Sequence, residues 1–232
     1  MTRLIGFSTG ALAKSDFRHA VNLIRQHGVK AVELSALRDT ELVPLLAALD
    51  ELDLSFASYC SFHAPSRFDV HSEQAVADML RAILPRRWPI IVHPDALLDR
   101  AAWQGFGEWL CIENMDKRKP VGRTEKELQT VFRDFPEASF CFDIGHARQI
   151  DPTMTEAAKI LRSFGDRLKQ VHMSVVNADG AHDPMSARVL LDFRKVADLI
   201  PPTVPIILET DIPEQMMDGQ VAVAGSVFGH AV

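Results

Sequence analysis

The sequence predicts an α/β fold: a single compact (β/α)8 TIM barrel with short loops, occupying residues 1–232 as one domain. Three observations lead there. Eight apolar runs alternate with about seven helical patterns at spacings of about 25 to 35 residues, which is the repeat of a βα unit. No Ser/Gly-rich linker and no long charge run divides the chain. Six successive runs end on a residue of metal-ligand type: His63, His93, Glu113, Asp143, His172 and Glu209. In a closed parallel barrel all strand ends open on one mouth, where barrel active sites sit. An open doubly wound sheet binds at one switch point and gives no reason for polar residues at nearly every strand end.

The elements follow in order. The first run, 4–7, closes on Ser8-Thr9-Gly10. Ser15 reads as the N-cap of a helix whose apolar side is Phe17, Val21, Leu23 and Ile24, stopped by Gly28. Run 29–34 is a second strand, with Glu33 near its end facing either the pocket or a layer of the barrel interior. Thr40 reads as the cap of a second helix containing Leu42, Val43, Leu45, Leu46 and Leu49. Run 54–62 ends on His63-Ala64-Pro65, and Ser72 opens a third helix reaching Ile83. Run 89–92 ends on His93-Pro94. The helical segment after it, 96–107, is the poorest, because it is short and Gly105 and Gly107 bracket its end.

Run 109–112 ends on Glu113-Asn114, and Thr124-Glu125-Lys126-Glu127 has capping-box spacing ahead of Leu128, Val131 and Phe132. In the sixth run, Phe140-Cys141-Phe142 breaks on Asp143, and Gly145 lets the chain turn so that His146 returns to the same space. Thr153-Met154-Thr155-Glu156 reads as a second capping box, for a helix ending at Phe164-Gly165. Run 168–171 ends on His172, a helix is expected from Asp192 or Phe193 to Ile200, and run 205–208 ends on Glu209. After Pro213 only a short tail punctuated by glycine follows, so the last helix is expected to be weak or missing.

A hydrophobic content of 47% over 232 residues supports a sizeable core and excludes a disordered chain. A net charge of −6 argues against a broad electrostatic grip on nucleic acid. No apolar run approaches the ~20 residues of a membrane span, and Met1-Thr2-Arg3-Leu4-Ile5 enters a strand-like run without a signal-peptide pattern. Cys60, Cys111 and Cys141 are odd in number and lie in apolar runs, as reduced core thiols of a cytoplasmic protein do. Trp88, Trp103 and Trp109 surround the weak fourth helical segment and read as packing, or as a surface for a second copy in a homo-oligomer.

Glu113, Asp143, His172 and Glu209 combine three carboxylates with one imidazole, an oxygen-rich set suited to Mn²⁺, Mg²⁺ or Zn²⁺. Three carboxylates in one place repel each other unless a cation joins them. His63, His93 and His146 are candidates for a second ion or for orienting substrate, and His182, in the loop after the seventh run, can join either group. Arg67, Lys117, Arg118, Lys119 and Arg148 follow strand ends and are candidates for a substrate phosphate, although Lys117-Arg118-Lys119 also reads as a solvated loop face.

Taken together, His63-Ala64-Pro65, Val92-His93-Pro94, Ile112-Glu113-Asn114, Phe142-Asp143-Ile144-Gly145-His146, Val171-His172 and Ile207-Leu208-Glu209-Thr210 resemble the xylose isomerase-like barrels. These include AP endonuclease family 2 (endonuclease IV) and many sugar-phosphate isomerases and epimerases. The resemblance spans most of the chain and implies that Glu113, Asp143, His172 and Glu209 bind a shared metal. In the isomerase and epimerase branch it implies that Glu113 and Glu209 also move the substrate proton. In the endonuclease branch it implies that His63, His93, His146 and His182 complete a multi-zinc cluster. Two features depart from what the resemblance implies: His182-Asp183-Pro184 is followed by Met185-Ser186-Ala187-Arg188 rather than by the glycines frequent in the family, and Gly180 stands where the endonuclease branch usually has an Asp.

With the acidic balance and short loops, these departures turn the expectation toward a small-molecule substrate and away from nucleic acid. The expected function is a divalent-metal-dependent isomerase or epimerase of a small sugar, sugar phosphate or hydroxy-carbonyl compound, acting through an enediolate. The alternatives are a metal-dependent phosphodiesterase and a non-catalytic barrel that binds metal or metabolite. Metal stoichiometry separates them: one ion points to isomerisation, two or three to phosphoester hydrolysis, and none to a binding protein.

Overall fold

The eight apolar runs become eight parallel strands: Ile5–Ser8, Ala31–Ser35, Tyr59–His63, Ile90–Val92, Leu110–Glu113, Ser139–Asp143, Leu168–Met173 and Ile206–Leu208. They close into a barrel in chain order, the first strand pairing with both the second and the last. This is a computed structural model, and it describes residues 3–13 and 16–229. Alternation along each strand fixes what faces inward. In the sixth strand Phe140 and Phe142 join the main core beneath the helices, whereas Cys141 packs with Ile91 and Cys111 in a separate small cluster. Asp143, two residues beyond Cys141, therefore lies on the barrel's inner face. Parallel register brings Asp143 beside His172 and Ser35 beside His63, so the strand ends share one level. Gly6 is required by the close approach of the first two strands: a Cβ there would lie 1.9 Å from the Ala31 carbonyl oxygen.

Helices Phe17–Gln26, Asp39–Ala48, Glu73–Leu80, Glu125–Asp134, Thr155–Phe164, Ala187–Ala197 and Met217–Val227 cover the outside, and a short helix, Ile144–Ile150, leads directly off the sixth strand. Ser72 and Thr124 cap as the sequence predicts, accepting the backbone N–H of Ala75 and Glu127. Other caps differ. Ser15 lies outside the described residues, and Asp16 accepts the N–H of His19. Thr40 is not a cap: the helix starts at Asp39, and the Glu41 carboxylate accepts from Leu37 and Arg38. The second predicted capping box is replaced by Asp151, whose carboxylate accepts from Thr153 and Glu156.

Three larger differences have packing causes. The helix expected from residue 192 begins at Ala187, because Val189, Phe193 and Val196 form a buried stripe. The last helix is present, correcting the expectation that it would be weak or missing. Met217, Gln220, Ala224 and Val227 are buried at helical spacing, and that burial outweighs the poor propensity of Gly219 and Gly225. The poor fourth segment forms no α-helix. It folds as 3₁₀ turns at Pro94–Ala96, Arg100–Trp103 and Gly107–Trp109. The Glu73 carboxylate holds it, accepting the backbone N–H of Leu98 and Asp99 and the Trp103 indole N–H at 2.7 Å. Trp103 is fully packed, against Phe106. No helix among the described residues is long and apolar enough to cross a membrane.

Candidate metal centre

The C-terminal mouth of the barrel opens into a cavity of about 1080 Å³, whose walls include His63, His93, Glu113, His146, His182 and Glu209. Glu113 stands at its centre. It follows Cys111 on the inner face of the fifth strand and is 1% exposed. Its Oε2 lies 3.4 Å from His63 Nε2 and 3.4 Å from His93 Nε2. Its Oε1 lies 3.2 Å from His172 Nδ1 and 3.4 Å from His146 Nδ1. Glu209, ending the last strand, is 3.4 Å from His172 Nδ1. The donor atoms fall into overlapping sets: His63, His93 and Glu113; Glu113, Asp143, His172 and Glu209; and His63, His172 and Glu209. The first two share Glu113.

These residues fit a divalent cation. Among the described residues, both Glu113 oxygens, Asp143 Oδ2, His93 Nδ1 and His172 Nδ1 are buried without a hydrogen-bond partner. Leaving ionised and polar atoms so placed is strongly unfavourable, and a mixed imidazole and carboxylate set suits Zn²⁺ or Mn²⁺. Burial pushes the Asp143 carboxyl up to about 6 and the Glu209 carboxyl up to about 7, with the Glu113 charge adding to both. Burial also acts on Glu113, but His172, His63 and His93 outweigh it and hold that carboxyl well below its usual range. Burial opposes protonation of His63, yet Glu113 and Glu33 raise it to about 9.

His146 and His182 stand beside these sets, with ring centroids 5.5 Å apart. His146 Nδ1 meets the Asn114 carbonyl at 2.9 Å, and its Nε2 lies 3.9 Å from Asp116 Oδ2. His182 Nδ1 is 2.9 Å from Ser174 Oγ and 3.6 Å from Glu209 Oε2. Of the cationic candidates, Arg67, Arg118 and Lys119 line the cavity. Lys119 pairs with Asp95 at 2.8 Å, and Arg148 turns to Asp192 at 2.8 Å. The Arg118 guanidinium donates to Asp116 and lies against Gly180, where a Cβ would come within 1.9 Å of its Cζ.

Two contributors, Asn114 and Asp116, are not legible as site residues in the sequence, and Glu33 is legible only as a choice between the pocket and a layer of the barrel interior. Asn114 clamps the Asp143 backbone from both sides, donating to its carbonyl and accepting its N–H, each at 2.8 Å. Its place directly after a strand-end Glu was the available signal. Asp116, separated by Met115, gave none. Glu33 faces the barrel interior: its Oε2 meets His172 Nε2 at 2.9 Å and Gln170 Nε2 at 2.6 Å.

No protein-family model and no curated protein matches the sequence. Solved structures do match in fold. Endonuclease IV from Thermus thermophilus superposes with a TM-score of 0.67 at 20% identity, covering 99% of this chain and 100% of that one. SacUVDE matches with a TM-score of 0.53 at 15% identity, over 98% and 97% of the two chains. A probable 3-DHS dehydratase, AsbF, from Bacillus anthracis matches with a TM-score of 0.53 at 10% identity, over 96% and 97%. The chain shares with these proteins the closed, all-parallel β/α barrel fold.

Proposed function

We propose that this protein is a divalent-metal-dependent hydrolase of a small phosphate ester, with two metal positions joined by Glu113. The supporting observation is that Glu113 belongs to two donor sets at once, one completed by His63 and His93, the other by Asp143, His172 and Glu209. Divalent ions held there would act as Lewis acids on a phosphoryl oxygen and make water a nucleophile at neutral pH. The chain's own part is positional. Asn114 fixes the turn that carries Asp143 and His146, and Arg67 supplies cationic wall for a phosphate group. The substrate is a small molecule rather than DNA, since the net charge is −6 and a duplex is gripped through many phosphate-facing Lys and Arg. The chain acts as one domain, 1–232, in the cytoplasm, where its three free cysteines stay reduced.

A second reading, isomerisation or epimerisation of a small sugar, is favoured by Glu209. Burial raises its carboxyl to about 7, near the value that suits a group exchanging protons at neutral pH. In that reading Glu209 and Glu113 take and return a substrate proton. Metal analysis of protein purified without chelator separates the two, run beside hydrolysis of bis-(p-nitrophenyl) phosphate and deuterium uptake into candidate sugars. Two ions per chain with phosphodiester turnover support the hydrolase. One ion with deuterium uptake overturns it in favour of the isomerase.

A further inference from the structure

We propose that Glu33 is a positioning residue that fixes which nitrogen His172 offers to the metal centre. The inference rests on the metal-centre reading but not on which reaction the centre performs.

Glu33 lies on the second strand, level with Ser61 of the third, and is 0% exposed. Its Oε2 is surrounded by groups that donate: Ser61 Oγ at 3.2 Å, Gln170 Nε2 at 2.6 Å and His172 Nε2 at 2.9 Å. Such a charge inside a barrel is costly unless fully compensated, and apolar filling is usually the more stable choice. Something other than packing accounts for a carboxylate here.

The orientation of the chain of donors supplies the account. Tyr59, at the opposite end of the barrel interior, donates its hydroxyl to Gln170 Oε1 at 2.6 Å. That contact assigns the other amide atom, Nε2, to Glu33. Gln170 Nε2 also lies 2.7 Å from His172 Nε2. A bare His172 Nε2 could accept from Gln170, but it would also set its lone pair against the Glu33 oxygen at 2.9 Å; a hydrogen bond to a carboxylate is about twice as strong as a neutral one, so the hydrogen sits on Nε2 and points at Glu33. All three donors then converge on Glu33. The nitrogen left to bind is Nδ1, which has no hydrogen-bond partner among the described residues. It lies 3.2 Å from Glu113 Oε1 and 3.4 Å from Glu209 Oε2, inside the four-donor set. A carboxylate behind a ligating imidazole fixes its tautomer and ring angle and raises its basicity.

The test is zinc affinity, measured by competition with a chromogenic chelator, for the wild type, Glu33→Gln and Tyr59→Phe. Thermal midpoints of the metal-free proteins and ¹⁵N signals of labelled histidines in the zinc-loaded proteins are recorded alongside. Glu33→Gln is expected to weaken zinc binding by about 10- to 100-fold, beyond any fall in the metal-free midpoint from donors the amide leaves unpaired. Tyr59→Phe, which frees only the far end of the chain, is expected to weaken it less. In the zinc-loaded wild type, His172 is expected to show a protonated Nε2 and a metal-bound Nδ1. Equal zinc affinity in Glu33→Gln and wild type would overturn the proposal, as would a lowered metal-free midpoint with unchanged affinity, which marks a purely structural role. A bare, metal-bound Nε2 on His172 would overturn it even if Glu33→Gln fails to fold. A wild type that takes up no zinc, manganese or magnesium would overturn the metal-centre reading itself.

Discussion

Glu113 Oε1 and His172 Nδ1 face each other at 3.2 Å, both buried, and neither has another hydrogen-bond partner among the described residues. An ordinary buried ion pair is supported by further donors and acceptors that satisfy its remaining atoms. Here both Glu113 oxygens are left to its imidazole neighbours, so one carboxylate connects the donors of the third, fourth, fifth and seventh strands. Glu113 is consequently the residue whose loss both metal sets would feel.

Glu113→Gln is expected to keep the fold, because the side chains are nearly isosteric, and to reduce bound metal from two ions per chain to one or none. Activity should fall at least about 10²–10³-fold, the range for loss of a principal charge-stabilising group. Elemental analysis of the folded variant, together with turnover of bis-(p-nitrophenyl) phosphate, checks this. Full metal content in the variant would remove Glu113 from its bridging place.

His93→Ala is expected to act on one set only. It removes a donor from the group of His63, His93 and Glu113 and leaves Glu113, Asp143, His172 and Glu209 complete. One ion per chain should remain, with phosphoester hydrolysis lost. Undiminished hydrolysis at one ion per chain would show that the second position is not needed.

Gly6→Ala addresses the barrel rather than the site. The added Cβ would lie 1.9 Å from a backbone oxygen of the neighbouring strand, and no rotamer relieves a clash with main chain. A loss of about 3 kcal/mol or more is expected, beyond the usual 1–3 kcal/mol of overpacking. For a chain of this size that is about 6–12 °C in thermal midpoint, read by scanning calorimetry. A wild-type midpoint would mean that the first two strands are farther apart than described.

Abasic duplex DNA is expected to remain uncut at physiological salt. The reasons are the net charge of −6 and the pairing of Lys119 with Asp95 and Arg118 with Asp116, which occupies cations at the mouth. Cleavage by the purified wild type that disappears in His93→Ala would establish a DNA substrate and refute the small-molecule assignment.

The sequence made the ring of strand ends legible because each ligand interrupts an apolar run. Asp143 after Phe140-Cys141-Phe142 is the clearest case. Glu33 was ambiguous for a physical reason. Whether it faces the interior depends on register with Ser61 and on its contacts with Gln170 and His172, which local pattern does not encode. Gln170, in Leu168-Lys169-Gln170-Val171-His172, carries no mark distinguishing it from a solvent-facing strand residue. The last helix reads as weak or missing because Gly219, Gly225 and the valines give it low propensity, and it forms through burial against the rest of the barrel. Asp116 depends on how the loop after the fifth strand returns, which is a tertiary property.

The fourth crossover, built from 3₁₀ turns, is expected to open more readily than the crossovers built on α-helices. Its 3₁₀ turns are short, and the carboxylate of Glu73 gathers Leu98, Asp99 and Trp103 in one place. Segments held this way exchange their amides through local fluctuations well below the global unfolding energy. This one joins the strands that lead to His93 and Glu113, so its excursions would pull apart two donors of the same set. Breathing of the wall, rather than diffusion through the mouth, would then set the lifetime of an ion at His63, His93 and Glu113. Loading that position should slow amide exchange across residues 97–109. Glu73→Gln should shorten the ion's residence time there more than at the four-donor set, which shares only Glu113 with it.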